Sequence, residues 1–162
     1  MPQKYSRNHS YLARRAIVGG SDARIIMGTD EAALVHLWQE KRGEAGSPDY
    51  SDNLLVQLGV ATEPLNRRWY EKTKDVQSWV RHPVIRWMAA TLDGVVEATG
   101  AVFEAKFMLP WSFSEEAAAE KYMAQLQHNM WVTHLRTSVL SIITAGGKRA
   151  WTRIRATSLG FA

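Results

Sequence analysis

The chain has 162 residues, of which 46% are hydrophobic and 22% charged, and it contains no cysteine. This length suits one domain with a buried core, and the lack of cysteine excludes disulfides and thiolate-bound zinc. No apolar run approaches the roughly 20 residues that cross a bilayer, and the N-terminus lacks the apolar centre of a secretory signal, so we expect a cytoplasmic protein without a membrane partner.

The net charge of +4 is concentrated at the two ends of the chain. Residues 1–25 carry five basic side chains against one acid, and residues 136–162 carry five against none. Clustered Lys and Arg favour a polyanionic partner because they release counterions from phosphates. The alternative is a solvated basic surface, and charge alone favours that alternative.

Two short helices are predicted near the N-terminus. In GGSDARIIMG (19–28), a glycine turn leads into a helix with Ser21 or Asp22 as N-cap. In DEAALVHLWQEKRG (30–43), apolar residues recur at helical spacing between an acidic start and a basic end closed by glycine. The apolar residues of the second helix, including Trp38, are predicted to be core.

A long helix and a run of strands follow. The helix is predicted over about 53–72 and should bend or break at Pro64, since proline lacks a backbone donor. DVQSWVRHPVIRWMAATLDG and GAVFEAKFMLP have the composition and tight turns of strands. The stretch from Thr91 to Phe107 therefore reads as one two-stranded hairpin. Trp69 is expected in the core. Core packing is also favoured for Trp87, with stacking on a DNA base or wedging between the strands as the alternative.

The strongest helical segment is SFSEEAAAEKYMAQLQHNMWVTHL, in which Ser112 and Glu115 fit a capping box and Trp131 is predicted to be core. SVLSIITA, a turn at Gly146–Gly147 and RAWTRIRAT then predict a final hairpin. Helices alternate with strands and no linker divides the chain, which predicts one α/β or α+β domain with a sheet packed against helices.

Three charged residues lie on the first hairpin where apolar side chains would pack better: Asp93, Glu104 and Lys106. Glu104 and Lys106 share one face of their strand, and the turn can bring Asp93 beside Glu104. Two buried carboxylates repel each other unless a cation separates them, and Mg²⁺ or Mn²⁺ would remove that conflict. The spacing D-x₁₀-E-x-K matches the core of PD-(D/E)XK nucleases, although the pattern alone fits a solvated hairpin face better.

The order of several further segments favours the nuclease interpretation. GGSDARIIMG, LWQEKRG, LGVATEP, TLDG, EAK and YMAQLQHNMWVT occur in the order found in the YqaJ-type viral recombinase family. Over roughly residues 10–145 the chain resembles this family of lambda exonuclease-like phage nucleases. The resemblance implies a restriction-endonuclease-like PD-(D/E)XK core, a central mixed sheet flanked by helices. It also implies a Mg²⁺-dependent exonuclease that digests double-stranded DNA from the 5′ end and leaves 3′ single strands.

The resemblance implies roles for individual residues at the metal. Asp93, Glu104 and the backbone carbonyl of Ala105 match metal ligands, and Glu63 matches a helix glutamate near the metal. Lys106 matches the catalytic lysine, which would position water or stabilise charge on a phosphate.

A second group of residues would hold the 5′-terminal phosphate of the DNA. By the resemblance these are Arg14, Ser21 and Thr91, joined by Gln125, which lines the catalytic site. The residue types suit this role because guanidinium and hydroxyl groups bind phosphate well. Arg15 is the alternative to Arg14.

The resemblance also implies the setting of the activity. The partners would be double-stranded DNA ends and a single-strand annealing protein, in a ring-shaped homotrimer, in the bacterial host cytoplasm of a phage or prophage. Relatives continue into a C-terminal helix where this chain stops at ATSLGFA. We therefore expect a single nuclease domain over residues 1–162, either naturally short or truncated at its C-terminus.

Two other functions remain open from the sequence. An endonuclease or nickase could use the same core, and a missing 5′-phosphate pocket would favour it. A non-catalytic DNA-binding phage accessory protein could keep the fold as a scaffold, although buried like charges count against that reading. His36, His82 and His128 lack the spacing of zinc ligands and are expected to be structural.

Overall fold

The computed structural model describes residues 14–46, 49–70, 73–74, 78–145 and 149–155. Four α-helices and seven strands lie wholly within these ranges. The helices are α1 Gly20–Ile26, α2 Glu31–Arg42, α3 Leu54–Trp69 and α4 Glu115–Thr133. The strands are β1 Thr73–Lys74, β2 Ser78–Arg81, β3 Ala89–Leu92, β4 Gly94–Val96, β5 Val102–Met108, β6 Thr137–Thr144 and β7 Arg149–Arg155. The predicted Gly146–Gly147 turn and the basic segment before Arg14 lie outside the described residues.

The main sheet is mixed, with strand order β1-β4-β5-β6-β7. Strands β5 and β6 are parallel and pair Glu104 with Leu140, whereas the other neighbouring strands are antiparallel. Strands β2 and β3 form a separate antiparallel pair. A mixed sheet flanked by helices confirms the predicted fold class.

The hairpin predicted from Thr91 to Phe107 is divided between the two sheets. Strand β3 pairs with β2, and only β4 pairs with β5. The chain passes from one sheet to the other at Asp93. Each pairing joins strands that are consecutive in the chain, and the strand pattern does not show that Asp93 separates two hairpins.

The core lies between the sheets and α4. On one side of the main sheet, buried side chains of α4 pack against those of β3, β5 and β6, among them Leu92, Val102, Leu126, Met130 and Leu140. A smaller cluster surrounds Phe103 on the other side, where the Tyr70 ring lies 5.0 Å away between centroids. Since both faces of β5 are covered, this strand carries Glu104 into a layer with little access to water.

The helices differ from the sequence-based expectations at two starts and at one proline. Ser114, not Ser112, caps α4, since its hydroxyl accepts a hydrogen bond from the Ala117 amide at 3.0 Å. Residues 110–112 form a 3₁₀ turn that delays the start of the helix. The N-cap of α1 is Gly19, so the prediction of Ser21 or Asp22 there is wrong. Helix α3 continues through Pro64 without a break.

The tryptophans predicted to be core are exposed. Trp38, Trp69, Trp87 and Trp131 have exposed fractions of 54%, 65%, 56% and 43%. Helical periodicity predicts an apolar stripe but does not predict which element covers that stripe. In α2, for example, Leu37 is the one buried residue. None of the described helices is long and apolar enough to cross a membrane.

Candidate active site

One cavity brings together most of the predicted site residues. Its volume is about 950 Å³. Its walls come from the residues around Arg14 and Ile17, which we call the Arg14 segment, and from α1, α2, the β2–β3 pair, β5 and α4. Seven of the nine predicted residues line it: Arg14, Ser21, Thr91, Asp93, Glu104, Lys106 and Gln125. Among the described residues that do not line it are Glu63 and Ala105.

The carboxylate of Glu104 is the best-connected group of this cavity. Only 2% of the residue is exposed. Its Oε1 accepts hydrogen bonds from Lys106 Nζ and Gln125 Nε2, both at 2.5 Å, and its Oε2 accepts one from Asn129 Nδ2 at 3.1 Å. A carboxylate held by three donors keeps a fixed orientation, as a metal ligand requires.

The lysine beside this carboxylate is kept in its charged form. Burial would lower the pKa of Lys106, but the carboxylates of Glu104 and Asp93 outweigh that effect and raise it. The ammonium also lies 5.4 Å from the centroid of the Tyr122 ring. Lys106 is therefore a cation at neutral pH, suited to stabilising a phosphate rather than to removing a proton.

Asp93 carries a charge that the site does not fully compensate. Its Oδ2 accepts a hydrogen bond from the Ala105 amide at 2.9 Å, which ties the sheet junction to β5. Burial and then the negative charge of Glu104 raise the pKa of Asp93 to about 7, despite the opposing effect of Lys106. A divalent cation between the two carboxylates would supply the missing positive charge.

The donor set fits a hard cation of the Mg²⁺ type. Among the described side chains, no group of three or more His, Cys, Asp or Glu residues is close enough to hold a metal. Two carboxylates with a backbone carbonyl match the coordination preference of Mg²⁺, which binds few protein ligands and keeps several water ligands. The Ala105 carbonyl belongs to the same strand as Glu104, so Asp93, Glu104 and Ala105 can contribute oxygen atoms from one small region.

Glu63 stands behind the cavity and reaches the site through a neighbour. Its Oε1 accepts a hydrogen bond from Arg67 Nη1 at 2.7 Å, and the same nitrogen donates to the backbone oxygen of Asp93 at 3.0 Å. One turn of α3 is fixed to β6 nearby, where Asn66 and Ser141 exchange hydrogen bonds of 2.8 and 2.7 Å. The position of Asp93 therefore depends on α3, and the metal role expected for Glu63 stays a prediction.

The predicted phosphate-binding residues line the same cavity. Lys41 of α2 connects the segment that contains Arg14 to α1, which contains Ser21. Its Nζ donates to the backbone oxygens of Arg14 and Ile17 at 2.9 and 2.7 Å. The same nitrogen forms an ion pair with Asp22 Oδ2 at 2.6 Å. Asp22 in turn accepts the Gly19 amide at 2.9 Å. These contacts fix the Arg14 segment against α1, where Ser21 lies.

The choice between Arg14 and Arg15 is decided by where each side chain lies. Arg14 lines the cavity. The guanidinium of Arg15 instead packs at the end of α2, where a Cβ on Gly43 would come within 2.6 Å of its Nη1. Arg14 is thus the arginine available to a ligand in the cavity.

Asn129 is a site residue that sequence reasoning missed. It is 1% exposed and donates to Glu104 from the same face of α4 as Gln125, four residues earlier. A Cβ on Gly20 would lie 2.4 Å from Asn129 Oδ1 and 3.0 Å from Gln125 Cγ, so this glycine lets α1 approach α4. The i, i+4 spacing with Gln125 is the signal that could have identified Asn129.

Comparison with known proteins agrees with this geometry. Residues 11–136 match the model of the YqaJ-like viral recombinase domain. The uncharacterized protein YqaJ of Bacillus subtilis (strain 168) is 26% identical in an alignment 160 residues long that covers 92% of this chain and 50% of that protein. The chain thus spans about half the length of this curated relative.

Two solved structures have a similar fold. An alkaline exonuclease (LHK-Exo) from Laribacter hongkongensis superposes with a TM-score of 0.72 at 21% identity, covering 93% of this chain and 83% of the other. A phage-related exonuclease from Haemophilus somnus 129PT gives a TM-score of 0.70 at 13% identity, covering 88% and 85%. Identities this low show a shared fold, and family and fold agree with the nuclease class expected from the sequence. Since the family match spans most of the chain and includes the whole carboxylate–lysine cluster, this chain belongs to the family of YqaJ-like viral recombinase domains.

Proposed function

We propose that this chain is a metal-dependent exonuclease that hydrolyses double-stranded DNA from a 5′ end and leaves a 3′ single strand. One observation carries the proposal: a carboxylate–lysine cluster and the side chains predicted to bind phosphate share a single cavity. Asp93, Glu104 and Lys106 suit phosphodiester hydrolysis. Arg14 and Thr91 suit the terminal phosphate that only a DNA end presents.

Mg²⁺, with Mn²⁺ as an alternative, would be held by Asp93, Glu104 and the Ala105 carbonyl, with Glu63 supporting them through Arg67. When bound, the ion supplies positive charge that polarises the phosphate and lowers the pKa of water. The protein's own groups prepare the reaction around it. Gln125 and Asn129 hold Glu104 in place, and Arg67 holds the backbone at Asp93.

The hydrolysis balances with water as the only co-reactant. A water oxygen bonds to phosphorus, the bond from phosphorus to the 3′ oxygen of the terminal nucleotide breaks, and that oxygen takes up a proton. The Lys106 ammonium stabilises the charge that develops on the phosphate. Each cycle releases a 5′-mononucleotide and leaves a new 5′-phosphate, which refills the phosphate pocket.

The size of the cavity is suited to a nucleotide. Ligand cavities are commonly about 300–1,000 Å³, and the volume of this one is about 950 Å³. LHK-Exo has been crystallised in complex with dAMP, a 5′-mononucleotide. We infer that a 5′-mononucleotide is also the product that occupies the cavity of this chain.

The wider setting is part of the proposal. A homotrimer would cover exposed apolar side chains of α2 and α3, which include Leu34, Val35, Trp38, Leu54, Val60 and Trp69. A single-strand annealing protein would receive the 3′ strand, in the cytoplasm of a bacterial host carrying the phage or prophage. The chain would act as one nuclease domain over residues 1–162.

Digestion of defined DNA substrates tests this function. Purified protein is incubated with 5′-phosphorylated linear duplex, the same duplex with a 5′-hydroxyl, and a closed circle, in Mg²⁺ or EDTA. We expect Mg²⁺-dependent release of mononucleotides from the phosphorylated duplex alone. Lys106→Ala should slow this by about 100- to 1,000-fold, as expected for a lost electrostatic stabiliser.

Other outcomes would change the assignment. Cleavage of the closed circle would identify an endonuclease or nickase. Binding of DNA by folded protein without cleavage of any substrate would identify a non-catalytic DNA-binding protein.

A further inference from the structure

Trp79 places an indole ring on the wall of the cavity beside the expected phosphate pocket. It lies on β2 directly opposite Thr91 of β3 in the antiparallel register. Directly opposed residues project to the same face of a sheet, about 4.5–5.5 Å apart at Cβ. Both residues line the cavity together with Asp93. The indole is therefore a near neighbour of the group expected to bind the terminal phosphate.

Core packing does not explain this tryptophan. Trp79 is 52% exposed, whereas the next residue, Val80, packs against the main core cluster. The alternation of the strand therefore directs Val80 to the core and Trp79 away from it. A large, half-exposed apolar ring that lines the same cavity as the charged and amide groups favours a ligand with a flat apolar part.

A neighbouring arginine restrains the ring. Arg81 lies two residues along β2, and its guanidinium carbon is 5.2 Å from the centroid of the Trp79 ring. A guanidinium in this range is attracted by the π electrons of the indole. The ring is thus held on one side by a cation, while half of the side chain remains exposed to a second planar group.

We propose that Trp79 stacks on the base of the 5′-terminal nucleotide whose phosphate is bound by Arg14, Ser21 and Thr91. This inference rests on the proposed function and adds a contact to the base. Stacking suits an enzyme that must accept every sequence, because all four bases have a π face. It would also keep the terminal nucleotide in one orientation while the bond to its 3′ oxygen breaks.

Binding without turnover isolates the contact. The probe is a 5′-phosphorylated duplex, compared with the same duplex whose 5′-terminal nucleotide is abasic, in Ca²⁺ or EDTA. For the wild-type protein, removal of the base should weaken binding by about 5- to 150-fold, the range of base–aromatic stacking. Trp79→Ala should weaken binding of the intact duplex by a similar factor and should be insensitive to the loss of the base. Trp79→Phe should retain part of the effect.

Two controls make the result specific. Trp111→Ala removes an indole that is 81% exposed and does not line the cavity, and it should leave binding unchanged. A 2-aminopurine at the 5′ terminus should be quenched by the wild type and by Trp79→Phe, but less by Trp79→Ala. Because the phenylalanine variant keeps an apolar ring, it tests stacking even if the alanine variant folds poorly.

The outcomes distinguish a failure of the stacking inference from a failure of the proposed exonuclease function. If the wild type and Trp79→Ala lose the same factor when the base is removed, another group contacts the base and the stacking inference is wrong. Removal of the 5′-phosphate tests the pocket independently, since it should weaken both proteins. If it weakens neither, the proposed function fails at the phosphate pocket, whatever Trp79 contributes.

Discussion

At the scale of single residues, the ionised carboxylate of Asp93 lowers the stability of the folded protein when no cation is bound. Its carboxyl group is buried beside Glu104, and its pKa is raised to about 7. The unfolded chain binds its proton with a pKa near 3.8. The folded protein therefore binds the proton more tightly, and this group contributes less stability as the pH rises from about 4 to about 7.

We expect Asp93→Asn to raise the melting temperature of the metal-free protein at pH 8, because it removes the ionised form that is repelled. Near pH 5 the carboxyl of the folded wild type is largely protonated, so the gain should disappear. Thermal unfolding in EDTA at the two pH values measures this difference. A variant that is equally destabilised at both would show that the Asp93 charge is already compensated in the native protein.

At the scale of elements, the close approach of α1 to α4 sets the geometry around the Glu104 carboxylate. Gly20 faces Asn129 at the crossing of the two helices, and Asn129 donates to Glu104. The Oδ1 of Asn129 is buried with no hydrogen-bond partner among the described residues. Space at this crossing, rather than a further hydrogen bond, therefore determines where the amide lies.

Gly20→Ala should lower kcat about 10-fold or more without a comparable rise in KM, because the new methyl group would displace the amide that orients Glu104. Asn129→Ala should have a similar effect by removing the donor. The double variant should be no worse than Asn129→Ala alone, since the methyl group then has room. Gln127→Ala serves as the control and should retain wild-type kinetics, because this half-buried side chain of the same helix bonds to Met123 and not to Glu104. Additive losses in the double variant would rule out this coupling.

The extent to which sequence predicted these elements depended on the range of the interactions. Caps formed by neighbouring residues could be predicted from the sequence. In α2 these are the N-cap Asp30 and the C-cap Gly43, which has a positive φ. The element that covers each apolar helix stripe could not be predicted, because distant segments decide it. The division of the sheets at Asp93 could not be predicted either, because the strand pattern does not show which neighbouring strands pair. The same holds in the site. Lys41 and Arg67 reach partners 19 and 26 residues away, and no local pattern marks them. Asn129 reaches Glu104, 25 residues away, and only its i, i+4 spacing with Gln125 marks it in the sequence.

At the scale of the whole molecule, the cavity joins distant parts of the chain into one unit. The Arg14 segment and α1 meet β3, β5 and α4 around it, and Lys41 connects α2 to the same wall. The resemblance to a known family predicted seven of the residues in this cavity. Residue chemistry alone had indicated only the carboxylates and the lysine, since the meeting of α1 with α4 depends on tertiary packing.

A cation bound between Asp93 and Glu104 would link the junction of the two sheets to the central strand. Ligands that bind only the native state stabilise it by mass action, so binding should raise the stability of the entire domain. The exposed apolar side chains of α2 and α3 are not part of this cluster. Substitutions of these side chains should not alter the affinity of a single chain for the cation.

The measurement that tests the central claim most directly is calorimetric titration of metal-free protein with Mn²⁺ and Mg²⁺, paired with thermal unfolding. We predict that the wild type binds a divalent cation with a rise in melting temperature and that Asp93→Asn and Glu104→Gln bind at least about 10-fold more weakly. Glu97→Gln, an exposed change on the turn between β4 and β5, should bind as the wild type does. Unaltered binding by Asp93→Asn and Glu104→Gln, or no binding by folded wild-type protein, would contradict the assignment of this cluster as the metal site.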